Sequence, residues 1–141
     1  MTAKEYLEQI GELEHKIQCM KERADYYDQM SLSIPGPSYG EKIGSNPNRN
    51  LEAPFIKWLI KLDEIKREIA KKEEELKNLK AEVLMKIEAL DNEDYKNVLI
   101  HRYFDHKKWG DIAAKMYASE KTVRRWHENA LQAIKPKDFI V

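Results

Sequence analysis

Two long seams of apolar residues constrain the fold of this chain more than any other feature. Apolar residues recur at alternating spacings of three and four from Ala3 to Tyr27, and again from Phe55 to Leu90, where Lys72 and Lys86 occupy two of the inner positions. This repeat is typical of helices that pair along one apolar seam. The pattern therefore predicts an all-α protein whose two seams pair with each other or with another copy of the chain.

Charges beside the seams predict how the two helices would pair. In one antiparallel register Lys21 faces Glu73 and Glu14 faces Lys80, so each charged pair has opposite signs. Sliding one helix by a heptad brings Glu14 against Glu73, where like charges repel. Exposed pairs contribute well under ~1 kcal/mol each, so they select a register without adding much stability. We expect a long antiparallel helical hairpin, a coiled coil, in the first of these registers.

The segment between the seams predicts a long connection. Residues 31–50 are crowded with Pro, Gly, Ser and Asn, so the first helix should end near Met30. Pro54 suits the first turn of the second helix, where its missing N–H costs nothing. The register leaves residues 55–62 beyond the end of the first helix. We expect the connection to fold back over this overhang.

The pattern changes after Leu90. Three short amphipathic segments follow, at residues 92–104, 108–116 and 119–134. Their apolar residues are expected to face one small core: Val98, Leu99, Ile112, Ala113, Met116, Val123, Trp126, Ala130, Leu131 and Ile134. Ser119 is a good N-cap for the last segment, and the link before it fits only a tight turn. The chain thus divides into a coiled-coil hairpin over residues 1–90 and a three-helix, helix-turn-helix domain over residues 91–141.

Composition limits the size of the folded core, the cellular location and the charge of possible partners. With 35% charged residues, the 141-residue chain favours long exposed helices over a large globular core. Cys19 is the only cysteine, and no apolar stretch approaches the ~18 residues of a membrane span. We therefore expect a soluble, cytoplasmic protein. The chain is neutral overall, but residues 101–141 hold 9 Lys and Arg against 5 Asp and Glu, which is compatible with phosphate contacts without demanding them.

Catalytic and cofactor motifs are not found in the sequence. His15 and Cys19 are one helical turn apart, but they lack the two further ligands of a zinc site. The stretch GPSYGEKIG, residues 36–44, lacks the Gly-Lys-Ser/Thr ending of a nucleotide-binding loop. We expect no enzyme activity, no cofactor and no metal site.

The helix-turn-helix segment carries a specific resemblance. It reads W-x-x-I-A from Trp109, then Y-x-S from Tyr117, T-V-x-x-x-H from Thr122, and A-L at Ala130. This order resembles region 4 of bacterial sigma-70-type factors, and more narrowly the sigma-like proteins of phages and prophages, including late transcriptional regulators of the RinA and ArpU type. Lys108 departs from the pattern, because a capping Ser or Thr is common there. The resemblance implies a phage-derived transcription regulator in a bacterial cytoplasm, with double-stranded DNA and RNA polymerase as partners.

Helical geometry and the resemblance together predict a DNA-reading face. If Val123, Trp126 and Ala130 turn inward, the polar residues near the start of the last helix point outward. The positions that the resemblance implies for reading bases are Glu120, Lys121 and Arg125. Those assigned chiefly to phosphates are Thr122, Arg124, Lys107 and Lys108. Without this context the two adjacent arginines would indicate ordinary solvated surface, and Trp109 and Trp126 indicate packing rather than base stacking.

Two other function classes stay open. A small-terminase-like DNA-packaging protein also combines a helix-turn-helix with helical assembly segments. A coiled-coil interaction protein that does not bind DNA is the third class. Assembly separates the first two, because a ring of eight or more subunits favours packaging, whereas a monomer or a homodimer through the coiled-coil surface favours regulation. Salt-sensitive duplex binding separates both from the third.

Overall fold

A computed structural model describes residues 1–32 and 47–134, with side chains over residues 1–32 and 55–134. The described residues form helices and turns without any strand, so the predicted all-α class is confirmed. The helices are α1 (Ala3–Leu32), α2 (Pro47–Glu88), α3 (Glu93–Leu99), α4 (Trp109–Lys115) and α5 (Glu120–Ala133). A π-helical turn, Ile100–Phe104, continues α3. No helix in this part of the chain has the length and apolar content needed to cross a membrane.

Both long helices extend further than the sequence predicted. α1 ends at Leu32 instead of near Met30, and α2 begins at Pro47 instead of near Pro54. The predicted loop 31–50 was therefore too long at both ends. Pro47 occupies the first helical position, where the N–H that proline lacks would have no helical partner. Pro47, and not Pro54, therefore lies in the first turn of α2.

The chain divides into two compact units. Unit 1 contains Met1–His15 together with the chain from Glu75 onward, and unit 2 is Lys16–Glu74. The predicted boundary between residues 90 and 91 lies inside unit 1. Segments of both α1 and α2 therefore belong to the same unit as α3, α4 and α5.

In unit 2, segments of α1 and α2 pair in the predicted antiparallel register. Lys21 Nζ lies 3.1 Å from Glu73 Oε2, as the charge pattern required. The buried apolar side chains follow one another along the seam: Ile17, Met20, Leu62, Ile65 and Ile69. Stability in this unit is thus spread over successive layers of one narrow interface.

The expected overhang of α2 is covered in part by α1. The rings of Tyr27 and Trp58 lie 5.6 Å apart between centroids, although the register placed residues 55–62 beyond the end of the first helix. Tyr27 lies inside the first helix as the sequence predicted it, so this helix covers more of α2 than the register alone indicated. The expectation that the connection folds back over this stretch concerns residues outside the described part of the chain.

The described residues of unit 1 form two apolar clusters, so the prediction of one small core was wrong. The first combines residues from α1 and α2 with residues of the C-terminal helices: Tyr6, Leu7, Ile10, Val83, Ile87, Leu99, Tyr103, Ala130 and Ile134. The second lies within the helix-turn-helix domain, which consists of α3, the π-helical turn, α4 and α5. It is formed by Val98, Ile112, Ala113 and Val123, with Met116, Trp109 and Trp126 partly buried against it. Adjacent residues on a helix point about 100° apart, so Val98 and Leu99 serve different clusters. In the same unit Lys80 Nζ lies 3.4 Å from Glu14 Oε1, which confirms the second predicted ion pair.

Candidate nucleic-acid interface

The start of α5 is capped as the sequence predicted. Ser119 has an extended backbone, and its Oγ accepts a hydrogen bond from the Thr122 N–H at 3.1 Å. The Ser119 hydroxyl also donates to Thr122 Oγ1 at 2.9 Å. By contrast, Lys108 stands at the N-cap of α4 without a side-chain hydrogen bond to that helix. The helix that carries the candidate base-reading residues therefore has the better defined start.

One face of α5 packs inward as predicted. Val123 and Ala130 are fully buried, and Trp126 packs partly buried against the cluster within the helix-turn-helix. Trp109 packs against the same cluster, as expected of a residue at a helix start. These contacts fix the rotation of α5 about its own axis. The opposite face, with Glu120, is left exposed at the N-terminal end of the helix.

Two of the three predicted base-reading residues are exposed cations. Lys121 and Arg125 make no hydrogen bond or ion pair with the part of the chain that the structure describes. They are four residues apart on one helix and are therefore neighbours on its surface. The third, Glu120, has its Oε1 3.8 Å from the Arg124 guanidinium. Lys121 and Arg125 thus form a basic edge in the first two turns of α5, without a charge partner among the described residues.

Arg124 is held against α4 as well as against Glu120. Its guanidinium carbon lies 5.4 Å from the centre of the Trp109 ring. Arg102 approaches the same ring to 4.3 Å. Cations over an indole face are attracted by its quadrupole. The structure therefore gives Arg124 a part in joining α5 to α4, and its phosphate contact stays a prediction.

The three other residues predicted to contact phosphates differ in how strongly their side chains are held by internal contacts. The Thr122 hydroxyl takes part in the cap, and its side chain is half-buried. Lys107 Nζ lies 4.0 Å from the Asp105 carboxylate, and its carbonyl accepts a hydrogen bond from Arg102 Nη1 at 2.9 Å. Lys108 is exposed directly before α4. Of these three residues, Lys108 is the best placed to meet a phosphate without breaking an internal contact.

A buried polar pair holds α5 against the π-helical turn, and the sequence reasoning missed it. Tyr103 Oη lies 2.7 Å from His127 Nε2, and both residues are buried. The Trp109 ring meets the imidazole edge-on at 4.9 Å. The sequence does contain a signal for the buried position of His127, because this residue is four residues after Val123 and three before Ala130. That spacing places it on the inward face of α5.

Burial sets the protonation of this pair. Burial raises the pKa of Tyr103 to about 12, so its hydroxyl stays protonated at neutral pH. Burial lowers the pKa of His127, with the nearby Arg102 also lowering it and Glu128 opposing. A neutral imidazole nitrogen can accept a hydrogen bond from the Tyr103 hydroxyl, so each group has a partner inside the molecule. The pair is therefore structural support for α5.

A metal site is not formed by the described side chains. Among residues 1–32 and 55–134, no group of three or more His, Cys, Asp or Glu side chains could hold an ion. Cys19 is exposed. The candidate site is thus built from charged and aromatic side chains of the described residues.

Together these features define a small all-α protein whose helix-turn-helix presents a basic helix start. A family described as "protein of unknown function (DUF1492)" matches residues 57–135, and the chain belongs to that family. The matched segment includes most of α2 and all of α3, α4 and α5. No curated protein matches the chain, and no solved structure does.

Proposed function

We propose that this protein is a sequence-specific regulator of transcription, derived from a phage or prophage, that binds double-stranded DNA. The start of α5 enters the major groove. The observation that carries the proposal is the exposed basic edge formed by Lys121 and Arg125 at the N-terminal end of a capped second helix. Recognition helices of this motif contact base edges with their N-terminal residues.

The chemistry of this edge suits guanine. Arg125 can donate two parallel hydrogen bonds to the O6 and N7 atoms of guanine, and Lys121 can donate to a neighbouring guanine. Glu120 can accept from a cytosine amino group once it leaves Arg124. That exposed ion pair is worth only about 0–1 kcal/mol, so the exchange of partners costs little.

Phosphate contacts orient the protein without reading sequence. Lys108 and Lys107 flank the start of α4, the first helix of the motif, which crosses the DNA backbone in such complexes. Thr122 and Arg124 add contacts from α5. Each phosphate neutralised by a lysine or arginine releases counterions, so affinity should fall as salt rises.

A single α5 reads too little DNA to define a genomic site. One recognition helix covers about three to five base pairs, so a second reading element is required. A second copy of this chain or RNA polymerase supplies it. In a dimer acting alone, the two half-sites should lie about one helical turn of DNA apart.

Selection of bound duplexes from random-sequence DNA tests the proposal. The expected outcome is an enriched motif with guanines at the positions that α5 contacts, and binding that weakens steeply with salt. The motif should recur upstream of lytic or late genes in the adjoining genome. The mass of the complex in solution should correspond to a monomer or a dimer.

Three other results would contradict the proposal. Retention of random duplexes without any enrichment would show binding without sequence reading. A ring of eight or more subunits, with the enriched motif beside packaging genes, would indicate the packaging function. No salt-sensitive duplex binding at all would leave the helix-turn-helix as a protein-binding element.

A further inference from the structure

Two residues with a Cβ adopt the left-handed backbone conformation in the helix-turn-helix region. They are His106, with φ of 56°, and Tyr117, with φ of 54°. This conformation crowds the Cβ against the following carbonyl and costs about 1–2 kcal/mol per residue. Glycine adopts it without that cost. Each of the two residues therefore needs a compensating interaction.

His106 has its compensation within the molecule. Its ring Nε2 lies 3.0 Å from Glu14 Oε2 of α1, within unit 1. The strained backbone at His106 thus presents its side chain to a carboxylate. This contact offsets part of the cost of the conformation, because exposed pairs contribute about 0–1 kcal/mol.

The side chain of Tyr117 makes no comparable contact with the described residues. Its side chain is 97% exposed and makes no hydrogen bond or ring contact within the described residues. Its backbone ends α4, because the Ala118 N–H donates to the Ala113 carbonyl at 3.1 Å across it. Helices commonly end on a left-handed residue in this pattern, and that residue is usually glycine. The turn needs the backbone conformation, but no contact with the described residues requires a tyrosine there.

The position of Tyr117 in the chain indicates which part of a bound duplex its ring would meet. It stands two residues before Ser119, the N-cap of α5. If the start of α5 enters a major groove, the residues just before the cap lie at the rim of that groove, where the sugar-phosphate chain runs. A tyrosine there offers a flat apolar ring and a neutral hydroxyl donor.

We propose that Tyr117 contacts the DNA backbone, with its hydroxyl donating to a phosphate oxygen and its ring covering the adjacent deoxyribose. This inference rests on the proposed DNA-binding function and adds a residue to it that neither periodicity nor charge selects. Because phosphates and sugars repeat along every duplex, the contact increases affinity on all sequences alike. Tyrosine carries no charge, so it does this without releasing counterions.

The test compares Tyr117→Gly, Tyr117→Asn and Tyr117→Phe, with His106→Gly as the matched control. Glycine and asparagine both tolerate the left-handed conformation, so these two variants relieve the strain without removing the turn. Urea unfolding measures stability. Fluorescence anisotropy with a labelled random-sequence duplex at several salt concentrations measures affinity and its salt dependence.

We expect Tyr117→Gly and Tyr117→Asn to unfold at the same or higher urea concentration than wild type, yet to bind the duplex about five- to tenfold more weakly. Tyr117→Phe keeps the ring and loses only the hydroxyl, so it should bind about threefold more weakly. The slope of log affinity against log salt should not change in any of the three variants. His106→Gly should bind the duplex as wild type does, because its partner is Glu14.

Each contrary outcome has a distinct meaning. If wild type binds the duplex and Tyr117→Gly binds equally well, the contact is refuted while the proposed function stands. If Tyr117→Gly and Tyr117→Asn lose stability together with affinity, Tyr117 supports the fold instead of the DNA. If wild type does not bind duplex DNA, the proposed function fails, and this contact fails with it.

Discussion

The helix-turn-helix and the paired helices of unit 2 bury their apolar side chains in different ways. Within the helix-turn-helix, Val98, Ile112 and Val123 converge on one cluster and are completely buried. In unit 2 the buried side chains follow one another along a narrow seam, and Ile65 and Ile69 keep a few per cent of their surface exposed. The helix-turn-helix thus depends on a few residues, whereas the seam shares its stability among many.

The same contrast separates the polar interactions of the two regions. The Tyr103–His127 pair of the helix-turn-helix is buried and bonded at 2.7 Å. The Lys21–Glu73 pair of unit 2 is about half-exposed on both sides. Polar contacts in a low-dielectric interior are strong and costly to break, and exposed ones are screened. The buried pair therefore fixes the position of α5 more firmly than the exposed pair fixes the seam of unit 2.

The largest expected effect comes from one matched pair of substitutions. Ile112→Ala should cost about 3 to 5 kcal/mol, because the surrounding cluster is closed on every side and can collapse only partly. Ile65→Ala should cost about 2 kcal/mol, because neighbouring layers and water can partly fill the gap at an open seam. Urea unfolding followed by far-UV circular dichroism measures both. If the two substitutions cost the same, or if Ile65→Ala costs more, the stability of the two regions is not distributed differently.

The second prediction concerns pH and His127. Above pH ~6.5 the imidazole is neutral in both folded and unfolded chains. As the pH falls below this value the unfolded chain takes up a proton that the folded chain resists, because burial lowers the pKa of His127. Stability should therefore fall with decreasing pH between ~6.5 and the folded pKa, by at most about 1.4 kcal/mol per pH unit.

A non-titrating variant isolates this contribution. His127→Gln keeps an acceptor near the Tyr103 hydroxyl but does not take up a proton in this range. The free energy of unfolding of wild type minus that of the variant, measured from pH 5 to 8, should decrease toward low pH. A difference that stays flat over the whole range would show that His127 is equally protonated in both states.

The sequence predicted the features that depend on local periodicity and charge. The apolar repeat gave both long helices, and the flanking charges gave their register, confirmed by the contacts of Lys21 with Glu73 and of Glu14 with Lys80. Ser119 was recognised as a cap because serine before an amphipathic segment is a strong local signal. These predictions needed only residue spacing along one helix or across one pair.

Two kinds of feature were missed, namely unusual local backbone conformations and contacts between residues far apart in the sequence. The π-helical turn Ile100–Phe104 and the left-handed Tyr117 leave no mark in the apolar pattern. The first cluster of unit 1 joins Leu99 and Ala130 to α1 and α2, which no short-range spacing could show. His127 has the correct inward spacing, but its partner Tyr103 is 24 positions away.

The smallest predicted effect concerns the exposed pair of unit 2. Lys21→Glu brings two carboxylates together and should cost at most about 1 kcal/mol, and Glu73→Lys on its own should cost a similar amount. The double variant restores opposite charges and should recover most of the loss. If the cost of the double variant equals the sum of the two single costs, the two side chains do not interact in solution. The Lys21–Glu73 pair then does not help to select the register.

The central claim, that the start of α5 reads DNA sequence, is tested most directly by the affinity of Arg125→Ala for two duplexes. One duplex carries the motif enriched from random DNA, and the other is a scrambled sequence of the same length and composition. Lys108→Ala is the matched control, because it removes an exposed positive charge directly before α4.

Arg125→Ala should lose about 1–3 kcal/mol on the motif duplex and little on the scrambled one, whereas Lys108→Ala should weaken binding to both alike and reduce the salt dependence. Circular dichroism must show that both variants stay folded. If folded Arg125→Ala, and Lys121→Ala beside it, keep the full preference for the motif duplex, α5 does not read the sequence and the proposed mechanism is wrong.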